Sequence, residues 1–466
     1  MNESHDDSRG RGPVDWLLSL FADVRGGEGL SAFLLMLNAF LLLAAYYIIK
    51  PLREALILGG AGAEIKSYSS AVQAGLLIVL VPLYGRFASR VNRLWLITGV
   101  SLFFISNLLV FYALGMAGVK TLGIPFFLWV GIFNVMIVAQ FWAFANDVYT
   151  PEQGKRLFAV VAIGSSLGAI VGAFVSDRLI KPLGIFPPML IAAGLLGLCI
   201  MITWIVNARE RVARGVGGKA LDQNAPLEKE GGFQLVFRDR YLLLIALLVL
   251  LLNAVNTTGE YILGKTVAAE AERVALASGT GGVALDVFKE KFIGMFYANF
   301  FYWVNLIGAL AQMFLVGRLM KWIGVRASLF VLPLISLGGY ALLAVAPVLS
   351  YIRQVKIAEN ATDYSLNNTV RHALFLPTSR EAKYKAKAAI DSVFWRMGDM
   401  ASAGLVFVGS QLHLDIRGFA TVNLVFVLIW LALAFGVARE HKKLPGESEK
   451  PVAPPARAPS PARAGA

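Results

Sequence analysis

The chain has 466 residues, of which 57% are hydrophobic and only 16% charged, and its mean hydropathy is +0.65. Soluble domains carry about 25% charged residues, so the balance speaks for a polytopic membrane protein and against a soluble globular one. The formal charge of +13 reads as loop charge that sets membrane orientation, not as a nucleic-acid surface, and no nucleic acid is expected as a partner.

Residue types that carry covalent chemistry are scarce. The single cysteine, Cys199, lies in an apolar run, which leaves no intrachain disulfide and no thiolate metal site. Four scattered histidines, at 5, 372, 413 and 441, do not make a metal cluster either. There is no GxxxxGK[ST] phosphate loop and no nucleophile–base pair, so neither an enzyme nor an ATP-hydrolysing pump is indicated. No cofactor or metal is expected.

The N-terminal segment 1–29 begins MNESHDDSRGRGPVDW and lacks the basic-then-apolar order of a cleavable signal, so the first helix is expected to stay in the mature protein. A helix needs about 20 apolar residues to span the hydrocarbon. That ruler finds spans near 30–50, 68–87, 94–115, 123–145, 157–177 and 186–207, then 241–263, 293–317, 326–346, 348–376, 386–410 and 418–438. The longest polar break between spans, from Asn207 to Arg240, divides them six and six. The expected parts are a bundle at 30–207, a cytoplasmic linker at 208–240, a second bundle at 241–438 and a disordered Pro/Ala-rich tail at 439–466. PLYGRFASRVNRLWLITG at 82–99 echoes FLVGRLMKWIGVRASLFV at 314–331, as an internal repeat requires. The fold expected is all-α, with twelve transmembrane helices in two six-helix pseudo-repeats and a substrate site between them.

Cations concentrate in alternate loops: Arg86, Arg90, Arg93, Lys155, Arg156, the linker, Arg318, Lys321, Arg326, Arg380, Lys383, Lys385 and Lys387. By the positive-inside rule both termini are expected to be cytoplasmic.

Charges inside apolar runs are the site candidates, because a charge at membrane depth costs several kcal/mol, roughly 2.5–3.5 on insertion scales. The first span ends YYIIKPLREAL, with Lys50, Arg53 and Glu54 within one turn after an apolar stretch. Lys50 and Arg53 suit an anionic substrate group, Arg bidentately and Lys as a point charge; snorkelling to headgroups is the alternative. In the fifth span Gly164, Gly168 and Gly172 repeat every four residues, a packing stripe expected to serve as the surface over which the halves rock. The seventh span carries Asn253, Asn256, Thr257, Thr258, Glu260 and Lys265; Glu260 suits a gate, a proton carrier or a partner for a cation, with a structural pair to Lys265 as the alternative. An insertion at 266–292 suggests a short helix, a turn and a second amphipathic piece. In the tenth span Tyr364, Asn367, Asn368 and Arg371 recur at helical spacing, a face fit for a solvated cavity or for interhelical hydrogen bonds. Asp391, Arg396 and Asp399 in the eleventh read as interhelical pairs.

Two stretches resemble the ATP/ADP translocase type of nucleotide transporter, a family related to the major facilitator superfamily. FWAFANDVYTPEQGKRLFAVVAIGSSLGAIVGA at 141–173 is similar to its FWxFAN signature and following Gly-rich helix. DYSLNNTVRHALFLPTSREAKYKAKAAIDSV at 363–393 is similar to its YSLxxPTKEM run, and KPLREALIL and NTTGEYILGK are weaker matches. The resemblance implies a twelve-helix exchanger of nucleotides with functional residues at Arg53, Glu260 and Arg371, and Lys50 and Lys265 beside them. This chain departs in having no acidic residue in LWVGIFNVMIVAQ, where the family has a Glu, and Asn368, Thr369 and Val370 where the family has PT and its neighbour. The function expected is a monomeric secondary transporter of a small anion, a nucleotide or another phosphorylated solute, within the lipid bilayer. A proton-coupled carrier of an unrelated solute and a lipid mover are the alternatives.

Overall fold

A computed structural model describes residues 28–88, 91–214, 232–379 and 381–444, with Asp15, Leu18 and 23–25. Most of the first 27 residues, the middle of the linker at 215–231, the tail from 445 and the cations Arg90 and Arg380 lie outside the described residues. Every regular element among the described residues is a helix. In a hydrocarbon environment only such self-satisfied backbone, or a closed barrel, leaves no N–H or C=O unpaired.

The elements are α1 (Gly29–Gly60), α2 (Ala63–Ala88), α3 (Arg93–Met116), α4 (Gly123–Val148), α5 (Pro151–Leu183) and α6 (Pro188–Arg214). A short helix, Gly232–Arg238, precedes α7 (Arg240–Ala277), α8 (Ala284–Trp322) and α9 (Gly324–Val345). Then come α10 (349–374), α11 (382–411) and α12 (Ile416–His441). Ten of these, α1–α9 and α12, are long and apolar enough to cross a membrane. The other two stand where the tenth and eleventh spans were expected, but they are polar and broken by π-helical turns, Asp363–Asn367 in α10 and Ala382–Ala386 and Ile390–Phe394 in α11.

Local chemistry sets several boundaries. Thr150 and Gln153 form a reciprocal capping box, with Pro151 in the first helical position of α5. Asp239 accepts from the Tyr241 N–H at 2.8 Å to start α7, and Asp415 from the Gly418 N–H at 2.8 Å to start α12. The 266–292 insertion has the helix–turn–helix order expected, but its two helical parts are continuations of the flanking spans. Helix α7 continues unbroken to Ala277, and the turn before α8 uses Gly279 and Gly282 at φ +72° and +61°.

Within the first six helices, α1 is central and packs on α4, α5 and α6; within the rest, α7 packs on α11 and α12. The two groups meet where α8 lies on α1 and α5, and where α2 lies on α11. Large apolar side chains such as Trp95, Phe103, Leu428 and Phe435 are exposed on the periphery, as a lipid-facing belt requires. The glycine stripe of α5 is the packing stripe expected, but it packs within one group and not between the two. A Cβ at Gly164, Gly168 or Gly172 would lie 2.2, 2.2 or 2.5 Å from the carbonyl oxygens of Met36, Phe40 and Ala44, so the stripe seats α5 on α1 inside one group and is not the sliding surface between groups.

Because successive helices run antiparallel, the starts of α1 and α7 and the end of α12 share one face, here the terminal face. The turns at 61–62 and 278–282 lie on the opposite, distal face.

Candidate functional site

Between the two groups lies a cavity of about 190 Å³, bordered by α1, α2, α4, α7, α8, α10 and α11. Its charged lining is Lys50, Arg53, Lys66 and Arg396 against Glu54, Glu260 and Asp399, an excess of one positive charge.

The α1 corner is built around Pro51, which has no N–H to give the preceding turn. Beside it Glu54 is 1% exposed and held by Arg53 at 2.5 Å and by Lys66 of α2 at 2.6 Å. The Arg53 guanidinium also stacks on Phe127, 4.9 Å from the ring centre. Glu54 is therefore a clamp that holds two cations at the cavity wall. Lys50 differs from both. Its ammonium lies 4.0 Å from the centre of the Phe301 ring and 5.2 Å from that of Tyr47, and among the described residues no carboxylate comes within ion-pair distance of it.

On the opposite wall Glu260 of α7 accepts a hydrogen bond from Asn360 at 3.0 Å, with Lys356 at 3.8 Å. Arg396 faces the cavity and pairs with Asp399 at 3.4 Å. Asp399 also accepts from Asn253 at 2.8 Å and Thr257 at 3.0 Å, which ties α11 to α7. Tyr364 lines the cavity from α10, alongside the amide side chains of Gln73, Asn256 and Asn360.

Of the residues picked out in the sequence, Lys50, Arg53, Glu54, Glu260, Tyr364 and Arg396 thus meet at one cavity. Asn367, Asn368, Arg371, Lys265 and Asp391 do not line it. Asn367 is buried against Asp363 at 2.6 Å, Asn368 is exposed, and Arg371 stacks on Trp395 at 4.7 Å. The expected convergence of a helix-ten cation with those of helix one therefore does not occur. The π-helical turn at Asp363–Asn367 is the reason, since its longer repeat rotates everything after Tyr364 away from the face that a regular helix would keep. Lys265 bonds Glu64 at 2.9 Å, not Glu260. Asp391 pairs with Lys387 and Arg396 with Asp399, both within α11, whereas Asp399 makes the expected interhelical pairing through Asn253 and Thr257 of α7.

Sequence reasoning passed over Lys66, Gln73, Lys356 and Asn360. Lys66 stands just before the second span and Gln73 in its polar start, SYSSAVQ; Lys356 and Asn360 stand in the polar start of the tenth, where the unusual charge density was the available signal.

Membrane-length helices in two groups, closed around a cation-lined cavity, define a membrane transporter. Residues 29–355 match the family model of the Major Facilitator Superfamily, and the chain belongs to that superfamily. Residues 315–441 also match the model of the TLC ATP/ADP transporter. Among relatives, ADP,ATP carrier protein 1 of Chlamydia pneumoniae is 23% identical over 354 residues, covering 65% of this chain and 64% of that protein. The protein of the same name from Chlamydia muridarum is 23% identical over 384 residues, covering 71% and 69%. The chain thus spans about two-thirds of the length of these relatives. Solved structures share the fold: the nucleoside transporter NupG (TM-score 0.57, 13% identity, 89% of this chain and 99% of that one) and a POT family transporter in complex with 5-aminolevulinic acid (0.59, 14%, 87% and 96%). A bacterial homologue of the iron transporter ferroportin in an inward-facing state is similar (0.59, 12%, 88% and 98%).

Proposed function

We propose that this transporter carries a nucleotide, or another phosphorylated anion, across a bacterial inner membrane by exchange. The six-helix groups 30–207 and 241–438 would rock about the cavity, with both termini cytoplasmic, so that the terminal face is the inner one. The observation that carries the reading is Lys50. A buried ammonium held only by ring faces keeps its full demand for an anion, whereas its neighbours already spend part of theirs on Glu54 and Asp399. Phosphate oxygens would meet Lys50 first, with Arg53, Lys66 and Arg396 around them. The base would lie among Phe127, Tyr261 and Tyr364, where the amides of Gln73, Asn256 and Asn360 offer both donors and acceptors to its edge. The names of the Chlamydia relatives and the TLC match support a nucleotide as the anion.

The test is counter-transport. Purified protein in liposomes preloaded with ADP should take up external labelled ATP or ADP, and empty liposomes should not. If neither nucleotides nor organic phosphates move, the substrate assignment fails.

A further inference from the structure

Behind the cavity wall, inside the second helix group, lies a cluster of charges that the anion site does not use. Lys356 of α10 is fully buried, and its ammonium stands between two carboxylates: Glu359 at 3.0 Å and Glu260 at 3.8 Å. The side-chain oxygen of Asn256, at 2.8 Å, holds it in place. One ammonium thus serves two carboxylates, Glu359 buried behind it and Glu260 at the cavity wall, so the buried acid shares its nearest counter-charge.

The geometry also distinguishes the two acids. Glu260 borders the cavity and is satisfied by Asn360. Glu359 is 4% exposed; its Oε2 is engaged by Lys356 and lies 3.2 Å from the Tyr340 hydroxyl, but its Oε1 has no hydrogen-bond partner among the described residues. A second cavity of about 10 Å³, near the smallest that holds one water, is bordered by Glu359, Asp363, Asn256, Ser336 and Trp430. The buried indole N–H of Trp430 is likewise without a partner. The titratable and charged groups around Glu359 are Lys356 and Asp363 on α10, Tyr340 on α9 and Glu260 on α7, with Arg371 beyond Asp363. From α12 come the uncharged Trp430, at the small cavity, and Asn423, bonded to the Val255 carbonyl. Asp363, bonded to Asn367, continues the polar line along α10 toward the terminal face.

We propose that Glu359 is a proton-binding site, linked through Lys356 to Glu260 and thereby to anion binding in the cavity. A proton from the aqueous side bonds to a Glu359 carboxylate oxygen and cancels its charge. Lys356, still an ammonium, is then free to pair with Glu260. With Glu260 compensated, the cavity holds a larger positive excess, and the anion binds more tightly. By reciprocity, anion binding draws in the proton. The linkage to anion binding rests on the function proposed above; the proton site itself does not.

Infrared difference spectra of the ligand-free, detergent-solubilised protein between acid and alkaline pH test the site. Wild type should show a protonated-carboxyl band that shifts on labelling with carboxyl-¹³C glutamate, disappears in Glu359→Gln, and survives in Asp363→Asn and Glu260→Gln. In Glu260→Gln its midpoint should move to lower pH, because Lys356 then belongs to Glu359 alone. Recorded in a Glu290→Gln background, a band that ignores the glutamate label, or that persists in Glu359→Gln, overturns the site; if that variant does not fold, Glu359→Asp, whose band should lose the label shift, takes its place. A midpoint unmoved by Glu260→Gln overturns the link through Lys356. ADP affinity in wild type should weaken at least about fivefold across the titration and become independent of pH in Glu359→Gln. Equal pH dependence in both overturns the coupling. Absence of ADP binding at every pH, with the band behaving as stated, sinks the nucleotide reading and leaves the proton site standing.

Discussion

Lys265 of α7 donates to Glu64 of α2 across 2.9 Å, and Tyr261 donates to the same carboxylate oxygen at 2.8 Å, so the two helix groups are tied at the distal face directly above the cavity. Lys120 and Asp286 make a second tie there at 3.1 Å. Both pairs are partly exposed, and such pairs contribute about 0.2–1 kcal/mol each. Lys265→Ala should therefore raise the population open at the distal face by up to about fivefold. The readout is labelling of a cysteine placed at Ser67, in a Cys199→Ser background, by an impermeant maleimide added from that side. The exchanged pair Glu64→Lys with Lys265→Glu should restore the slow rate; if Lys265→Ala labels no faster than wild type, the tie is not a gate.

Lys50 and Arg53 are expected to respond in opposite ways. Removing the ammonium of Lys50, whose nearest neighbours are the rings of Phe301 and Tyr47, gives up cation–π contacts of about 0.5–2 kcal/mol but leaves no buried carboxylate without its partner and relieves a desolvation penalty. Lys50→Gln should keep or raise thermal stability while weakening ADP binding about ten- to a hundredfold, the worth of one charged hydrogen bond. Arg53→Gln leaves buried Glu54 with Lys66 alone and should lower the unfolding temperature. Scanning fluorimetry and a binding isotherm on both variants decide it: comparable destabilisation by the two would make Lys50 a structural residue.

The same contrast shows what the sequence could convey. Lys50, Arg53 and Glu260 stood out because a charge within an apolar run has no bland surroundings to account for it, and all three line the cavity. Arg371 was misjudged because helical periodicity was carried through a stretch where the repeat is not 3.6 residues, and no composition signal marks the π-helical turn at Asp363–Asn367. Lys66 escaped for a different reason. It sits in the first turn of α2, where polar residues are ordinary, and only the tertiary approach of Glu54 makes it a wall of the site. The glycine stripe announced close approach, but a stripe does not name the helix that fills it.

Gly168 and Gly194 make a paired test of that approach. A Cβ on Gly168 would lie 2.2 Å from the Phe40 carbonyl oxygen, a backbone atom that cannot swing aside, whereas a Cβ on Gly194 of α6 meets nothing within 4 Å. Gly168→Ala should cost about 1–3 kcal/mol through overpacking. Gly194→Ala should gain about 0.4–1 kcal/mol by restricting the unfolded chain. Thermal unfolding of the two variants should therefore shift in opposite directions, and a tolerated Gly168→Ala would mean that α1 and α5 are farther apart than described.

Acid should weaken one specific junction on the terminal face. Glu28, just before α1, accepts from both terminal nitrogens of Arg156 at 3.0 and 3.1 Å, from the Gln153 amide at 3.0 Å and from the Arg25 N–H at 3.1 Å. Partial burial pushes its carboxyl upward, but these donors outweigh burial and hold it below the usual carboxylate value. A group whose folded value lies below its unfolded one stabilises fully above the unfolded value, about 4.3 for Glu, and loses that contribution as pH falls through the folded value. Glu28→Gln should accordingly unfold at a lower temperature than wild type at pH 7. The difference should narrow once the pH drops below about 4.3, because protonated Glu28 and Gln are then alike in charge. Unfolding temperatures of both proteins from pH 7 downward provide the check, and a gap that stays constant with pH would assign the effect to shape and not to charge.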